Sequence, residues 1–449
     1  MKKTLIFTTS LLSSAVMAAM PVYQPIGSSF TLGSSVNQRA LATASANPAA
    51  PFLMVNEQDD DNFRFGIIGP IGIGVEMGDI SDLGDRVEEI EDIVDINYLN
   101  AISGATSQSD AIAKAKTAAN NAASKVDAIL DDIAEDAYVK TSISTQVPFM
   151  PIIYKTKDNG AFMLDASVSA VVRGSLISGD VTTDFTDLTD IQVTTNSSFY
   201  AQTAVDLNVG FGYSREVWKP AEDLGRLIGG VKANVHQISL GRALVALDDD
   251  NVEVEDALSD AASDDSVSST GVGLDLGAIW VADNYHVGIT LANINEPEFD
   301  GVALGQNCAS SDRSCNVANG FITSGELEQK SAYTMEMQTT IEASVTSKNK
   351  SWTLAGSYDA NSVKDPVGDE YQWGAVSVSY YGDSHFLPGL RAGYRQNMAG
   401  TELSYVSAGL TLLKRLNLDV AVATETVTDE DGDEVPRSAY ISLGYGTAF

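Results

Sequence analysis

Arg391 and Arg395 are the residues most suited to gripping a ligand, because a guanidinium is a forked donor that can hold a carboxylate through two parallel hydrogen bonds. Both lie in a segment where apolar and polar residues alternate. The same alternation in other segments puts Asp165, Arg173, Asp206, Asp275, His286, Glu336, Glu342 and Asp419 on polar faces. If the apolar faces meet lipid, these charges line an interior. They read first as a salt-bridge network and second as a transport relay. A serine hydrolase would need a Ser–His pair with an orienting polar partner, whereas Ser384-His385 falls in an expected tight turn. No catalytic residue is assigned, and the chain is not read as an enzyme. Cys308 and Cys315 flank six residues in a long loop. In an oxidising compartment they are expected to form a disulfide, a local staple of roughly 2–3 kcal/mol on the loop-entropy estimate. Asp429, Asp431, Asp433 and Glu434 offer oxygens to calcium, but Gly432 does not stand where an EF-type loop needs its glycine. They read as a solvated acidic loop. No metal and no cofactor is expected.

Positioning such residues requires a scaffold, and the first residues say where it works. Lys2 and Lys3 precede an apolar run from Leu5 to Met17, followed by small residues ending at Ala18. This is the pattern of a secretory signal peptide over residues 1–18. With 61 Asp+Glu against 27 Lys+Arg and a formal net charge of −34, the chain repels phosphate backbones, so nucleic acid is excluded as a partner. Two cysteines and three histidines exclude Cys-rich zinc modules and iron–sulfur clusters. No later apolar run is long enough for a transmembrane helix. An exported chain of this kind is either soluble or crosses a membrane as strands.

Alternation with a period of two decides for strands. It runs through Val205, Leu207, Val209 and Phe211, through Val272, Leu274, Leu276 and Trp280, through Tyr333 to Val345, and through Leu416, Leu418, Val420 and Val422. Fourteen segments are expected, near 62–77, 146–156, 161–177, 199–213, 227–247, 271–281, 285–294, 333–346, 351–360, 371–381, 388–397, 402–413, 416–426 and 437–449, with twelve or sixteen as alternatives. Tight turns that carry Lys157, Lys348, Lys350, Lys414 and Arg415 alternate with long acidic loops, of which 248–270 has nine acidic residues and no Lys or Arg. Trp218, Trp280, Tyr285 and Trp352 stand beside the short turns, as an interfacial girdle would. The last strand runs into a terminal Phe449, which resembles the assembly signal of bacterial outer-membrane proteins. The expected fold is all-β: a 14-stranded antiparallel transmembrane barrel over 62–449 in the outer membrane of a Gram-negative bacterium, monomeric, touching outer-membrane lipid and lipopolysaccharide.

Two parts do not read as strands. Residues 80–136 carry apolar residues at helical spacing (Leu83, Val87, Ile90 and Val94; Ala115, Ala119, Ala122, Val126 and Ile133) around a loop at Ser103–Ser107. They are expected to form an inserted α-helical hairpin, and strand parity puts it outside the cell. Residues 19–61 form an N-terminal hatch. Its small-residue stretch from Thr31 to Ala50, ending Asn47-Pro48-Ala49-Ala50, resembles the hatch of the FadL-type hydrophobic-compound channels. Gly273 to Ala278 with Val287 to Ile294 resembles a hairpin of that superfamily. With the helical insertion and Pro148-Phe149-Met150-Pro151, the mature chain is most similar to the TraF-like "conjugal transfer" outer-membrane branch. It is distinct from the thioredoxin-like plasmid TraF, because it has no Cys-x-x-Cys. The resemblance implies a plugged monomeric barrel that passes hydrophobic or amphipathic small molecules, fatty-acid-like ones for example, with Asn47, Pro48 and Ala49 beside the ligand path. The alternative is a structural component of an envelope assembly such as a conjugal transfer apparatus.

Overall fold

The computed structural model describes residues 27–446 except 56–61, 82, 95–102, 158, 186–191, 221–223, 250–255, 258, 260, 262–265, 383–386 and 430–431. The signal peptide, Ser384-His385 and Phe449 lie outside the described residues. Fourteen strands form the wall: β1 (Phe63–Met77), β2 (Tyr138–Gln146 continued by Ile152–Thr156), β3 (Gly160–Ile177), β4 (Ser198–Trp218), β5 (Arg226–Ala246), β6 (Val267–Val281) and β7 (Tyr285–Ala292). The second half comprises β8 (Gln338–Thr346), β9 (Trp352–Asp359), β10 (Trp373–Tyr380), β11 (Gly389–Asn397), β12 (Ser404–Leu412), β13 (Leu416–Ala423) and β14 (Ser438–Gly446). Each strand pairs antiparallel with the next, and β14 pairs back onto β1, which closes the barrel and leaves no edge.

The alternation in the sequence becomes the two faces of this wall. In β4, Leu207, Val209 and Phe211 are exposed on the outside while Asp206 and Asn208 are buried inside. Ile71, Ile143, Val235, Leu274, Ile341, Leu354, Val376, Val406 and Ile441 extend the apolar exterior around the barrel. So much exposed aliphatic surface on every strand is the surface of a protein solvated by hydrocarbon. Among the described residues, no helix is long and apolar enough to cross a membrane. The strands cross instead.

Connections sort by end. Turns 157–159, 219–225, 282–284, 347–351, 381–388 and 413–415 lie at the end where β1 starts and β14 stops. The other end carries the long connections 78–137, 178–197, 247–266, 293–337, 360–372 and 424–437, and the short 398–403. Trp218 meets Trp280 (5.8 Å between ring centres) and Trp352 meets Tyr380 (4.9 Å), both pairs tilted, at the short-turn rim. The helical hairpin stands at the long-loop end as α1 (Leu83–Val94) and α2 (Gln108–Asp136). Ser107 caps α2 by accepting the N–H of Asp110 at 3.2 Å. Ile90, Ile93, Val126, Leu130 and Ile133 form the apolar seam between the two helices, closed by Leu247 of the barrel rim.

Two strands depart most from the sequence reading at their starts, while β4 runs on to Trp218 rather than 213 and β6 starts at Val267 rather than 271. β2 begins at Tyr138 rather than near 146, and it is interrupted at Val147–Pro151. Its lumenal face is Lys140, Ser142, Ser144 and Gln146 and its outer face is partly threonine, so its hydrophobic signal is faint. The interruption holds Pro148 and Pro151, which have no N–H to give a ladder. β8 begins at Gln338 rather than Tyr333. Tyr333 and Met335 are buried under the loops, and Lys330–Thr334 pairs with Glu298–Ala303 in an outer ribbon. Glu336 therefore lies off the membrane strands and accepts the backbone N–H of Lys364 at 2.8 Å. It does not line the lumen as alternation implied.

Candidate functional site

Residues 27–55 fill the lumen. They make one helical turn (Ser29–Leu32) and two 3₁₀ turns (Leu41–Ser45, Ala50–Leu53), and none of them joins the barrel sheet. Phe30 inserts between Val75, Tyr405 and Tyr440, with 4.6 Å between the Phe30 and Tyr440 ring centres. Leu41, Ala49, Phe52, Leu53 and Met54 pack on Ile153, Met163, Ile228 and Ile279. The remaining attachments are single polar contacts spread around the wall. Thr31 Oγ1 donates to Asp419 (2.7 Å), Asn37 Nδ2 to Ser379 (3.2 Å) and Ser45 Oγ to Asp165 (2.6 Å). Lys155 Nζ donates to the Phe52 carbonyl at 3.0 Å and sits 3.9 Å from the centre of its ring.

Asn47-Pro48-Ala49 occupies the tightest place. Asn47 is fully buried; its Nδ2 donates to the Ile289 carbonyl (3.2 Å) and Glu342 Oε1 (3.3 Å), and its Oδ1 accepts the Ala49 N–H (2.9 Å). Glycine is required opposite. A Cβ on Gly277 would fall 2.2 Å from Asn47 Oδ1, and one on Gly230 would fall 2.1 Å from the Pro48 carbonyl oxygen. Glu342 also accepts the Val36 N–H at 2.5 Å, so one carboxylate on β8 holds two points of the plug.

The lumenal charges are mostly paired with one another. Arg391 turns its fork onto Asp419 (2.9 and 3.0 Å) and donates to Tyr381, Thr411 and Thr31. The carboxylate it grips is the protein's own, so it does not present the free fork that its residue type offered. Arg395 lies 3.8 Å from the Trp373 ring centre, with Tyr405 and Tyr440 at 5.6 Å. Asp275 accepts from Asn234 (2.6 Å) and from the Asn293 N–H (2.9 Å), and His236 meets Asp206 at 2.9 Å. His286 faces Ser344 (2.8 Å) and Glu342 (3.8 Å). This is a Ser–His–Glu grouping that sequence spacing could not reveal, because cross-strand register makes it. Ser344 is buried, and Glu342 is committed to Val36 and Asn47, so the carboxylate of this grouping holds the plug.

A second set, of which the sequence reading held only Arg173, closes the long-loop end. Lys140 on β2 is fully buried and contacts Asp365 (2.5 Å), Asp369 and Tyr371 (2.7 Å), all from the β9–β10 connection. Burial pushes the Asp365 carboxyl above its ordinary range while the Lys140 ammonium pulls it back; burial likewise raises Tyr371. Arg173 reaches Asp369 at 3.3 Å. In a ring of fourteen, β2 and β9 stand on opposite sides. The β9–β10 connection therefore crosses the lumen mouth, and Val367 packs against Val171, Ala204 and Ile238 beyond it. Outside this strap, Cys308 is disulfide-bonded to Cys315 in the first turn of α3 (Arg313–Ser324). Arg313 ties neighbouring loops through Asp248 (3.0 Å) and the Thr195 carbonyl (2.9 Å). Among the described residues, no group of His, Cys, Asp and Glu is arranged to hold a metal ion.

The seam between plug and wall contains a cleft with ≈ 430 Å³ of empty space, part of it open to solvent. It lies where β1 and β2 lose their register. Ladder pairing covers Ile71–Met77 and Phe63–Phe65 but not the stretch between, and Phe149 projects outward there with φ 71°.

A closed, even-stranded antiparallel barrel with an apolar exterior, a polar plugged interior and long loops at one end is an outer-membrane-type β-barrel. Residues 44–359 match the family model described as "F plasmid transfer operon, TraF, protein". That span holds most of the chain, and the protein belongs to this family. No curated relative matches. Among solved structures, the chain is similar to the TodX ΔS2S3 mutant monoaromatic hydrocarbon channel (12% identity, 95% of this chain and 100% of that one, TM-score 0.46). It is also similar to the Pseudomonas putida toluene transporter TodX (12%, 97% and 100%, 0.39) and to a Pseudomonas aeruginosa FadL homologue (12%, 96% and 99%, 0.39).

Proposed function

We propose that this protein is a non-enzymatic, plugged conduit in the outer membrane of a Gram-negative cell, passing hydrophobic or amphipathic small molecules inward as a monomer. The observation that carries the reading is the plug. It is held by side-chain hydrogen bonds and small apolar contacts rather than by sheet ladder, so it can rearrange without opening the barrel. The interrupted ladder between β1 and β2 supports it, since an apolar molecule released from the plug lies close to lipid there. The acidic long loops favour neutral ligands over free anions.

The test is substrate uptake by cells carrying the full chain with Asn47→Ala and Pro48→Ala together. Altered uptake with unchanged heat-modifiable migration is expected, and unchanged uptake by a correctly folded double variant would make the plug a stopper without a gate. The second reading, a component of an envelope assembly, draws on the family description and on a helical hairpin that stands clear of the lumen. Deleting 80–136 would then abolish function while deleting 20–60 would not.

A further inference from the structure

The cleft at the plug–wall seam has a chemistry of its own. Leu41 of the plug, Pro70 of β1 and Met150 of the β2 interruption give it an apolar side. Gln146 and Ser442 line the other side; both are 2% exposed, and Gln146 Oε1 and Ser442 Oγ are buried without a hydrogen-bond partner. The amide orientation of Gln146 is fixed by its surroundings. Its Nε2 donates to Asp165 Oδ1 at 2.8 Å, which leaves the carbonyl oxygen as the free atom. A carbonyl oxygen only accepts, and a serine hydroxyl can also accept. None of the cleft's described lining residues is Lys, Arg or His. Asp419, its one charged lining residue, is a carboxylate already matched by Arg391 and Thr31. An anionic headgroup would meet an acceptor-only amide oxygen and a carboxylate, with no lining cation to balance its charge. A neutral molecule with one O–H donor would satisfy a buried acceptor that is costly to leave unpaired.

We propose that this cleft is a binding site for neutral hydroxylated amphiphiles, alcohols or phenols, whose O–H donates to Gln146 Oε1 or Ser442 Oγ while the apolar part covers Leu41, Pro70 and Met150. The site rests on the conduit reading and narrows its ligand class: ionised carboxylates are turned away.

Phenol, toluene and benzoate form a matched probe set, measured by saturation-transfer NMR on the full-length protein in detergent at neutral pH. Phenol should bind about five-fold more tightly than toluene, the worth of one hydrogen bond to an otherwise unpaired acceptor, and benzoate should not bind measurably. Gln146→Met with Ser442→Ala should erase the preference for phenol while keeping toluene binding. Ala42→Leu, which fills the cleft from the plug side, should weaken both; if the double variant fails to migrate as a heat-modifiable barrel, this variant with Ser442→Ala alone carries the comparison. Benzoate binding as tightly as phenol, or a phenol preference that survives loss of both acceptors, overturns the proposal. Uptake measured in parallel separates the two readings. Transport without phenol selectivity defeats the cleft assignment alone, and selective binding without transport defeats the conduit.

Discussion

At the scale of single residues, the lumen uses charge mainly to seal itself. Arg391 and Asp419 show the pattern: both are almost fully buried, the fork is bidentate, and Thr31 of the plug completes the set. A buried pair of this kind adds little stability relative to a well-packed apolar replacement, yet removing one partner strands the other charge at a cost of about 3–5 kcal/mol. Asp419→Asn and Arg391→Met should therefore each lower the barrel's thermal unfolding midpoint strongly, and the double variant should recover much of the loss. Additive losses in that cycle would mean the two charges act independently, contrary to their geometry. That these residues face inward was legible from alternation, since Asp419 sits between Leu418 and Val420. What they pair with was not. Arg391 and Asp419 are held together through β12, which stands between their strands, and side-chain reach across two ladders is invisible in a linear pattern. Lys140 escaped notice for a simpler reason: its strand is rich in Ser and Thr, and a lone lysine among hydroxyls looks like a loop.

At the scale of elements, several strands whose outer faces are aliphatic were legible almost to the residue, as β3 and β5 show. The elements misplaced at their start are those whose outward face is not greasy. β2 carries threonine there, and the apolar Tyr333 and Met335 belong to a loop core rather than to lipid. The helical hairpin was legible because Ile90, Val126 and Ile133 keep a helical spacing that no strand shares. Aspartates tie down the segments that lead into its two helices, which gives it a pH dependence. Backbone N–H groups hold the Asp110 and Asp79 carboxyls below the ordinary aspartate range, Thr106 donating to Asp110 at 2.9 Å and Ser81 to Asp79 at 3.0 Å. A carboxyl whose folded pKa is depressed stabilises fully above its unfolded value and loses that contribution as pH falls through the folded one. Amide exchange at the start of α2 should thus be constant from neutral pH down to about 4 and accelerate below it, beyond the intrinsic pH effect. Asp110→Asn should remove that acid-dependent step. A step that persists in the variant would assign it to another group.

At the scale of the whole molecule, the lumen is closed twice by devices that share no residue. The plug, residues 27–55, is fastened along the wall, with Phe30 reaching up beside Tyr405 and Tyr440, whereas the β9–β10 strap spans the mouth and is fastened by Lys140 on the opposite side. Two closures in series make a clear prediction for ion conduction, because current flows only when both are open. Lys140→Met leaves Asp365 facing an apolar side chain in a buried place and Asp369 with Arg173 alone. Their cheapest escape is to water, so the strap should swing out and trypsin should cut faster after Lys364, which is exposed but held by its pairing with Glu370. Conductance in a planar bilayer should nevertheless stay near zero, since the plug still fills the lumen below. Deleting 20–60 alone should give small or flickering currents through a strapped mouth. Combining the deletion with Lys140→Met should give steady conductance well above either variant. Steady current from Lys140→Met alone would mean the plug does not seal, and full current from the deletion alone would reduce the strap to a surface loop.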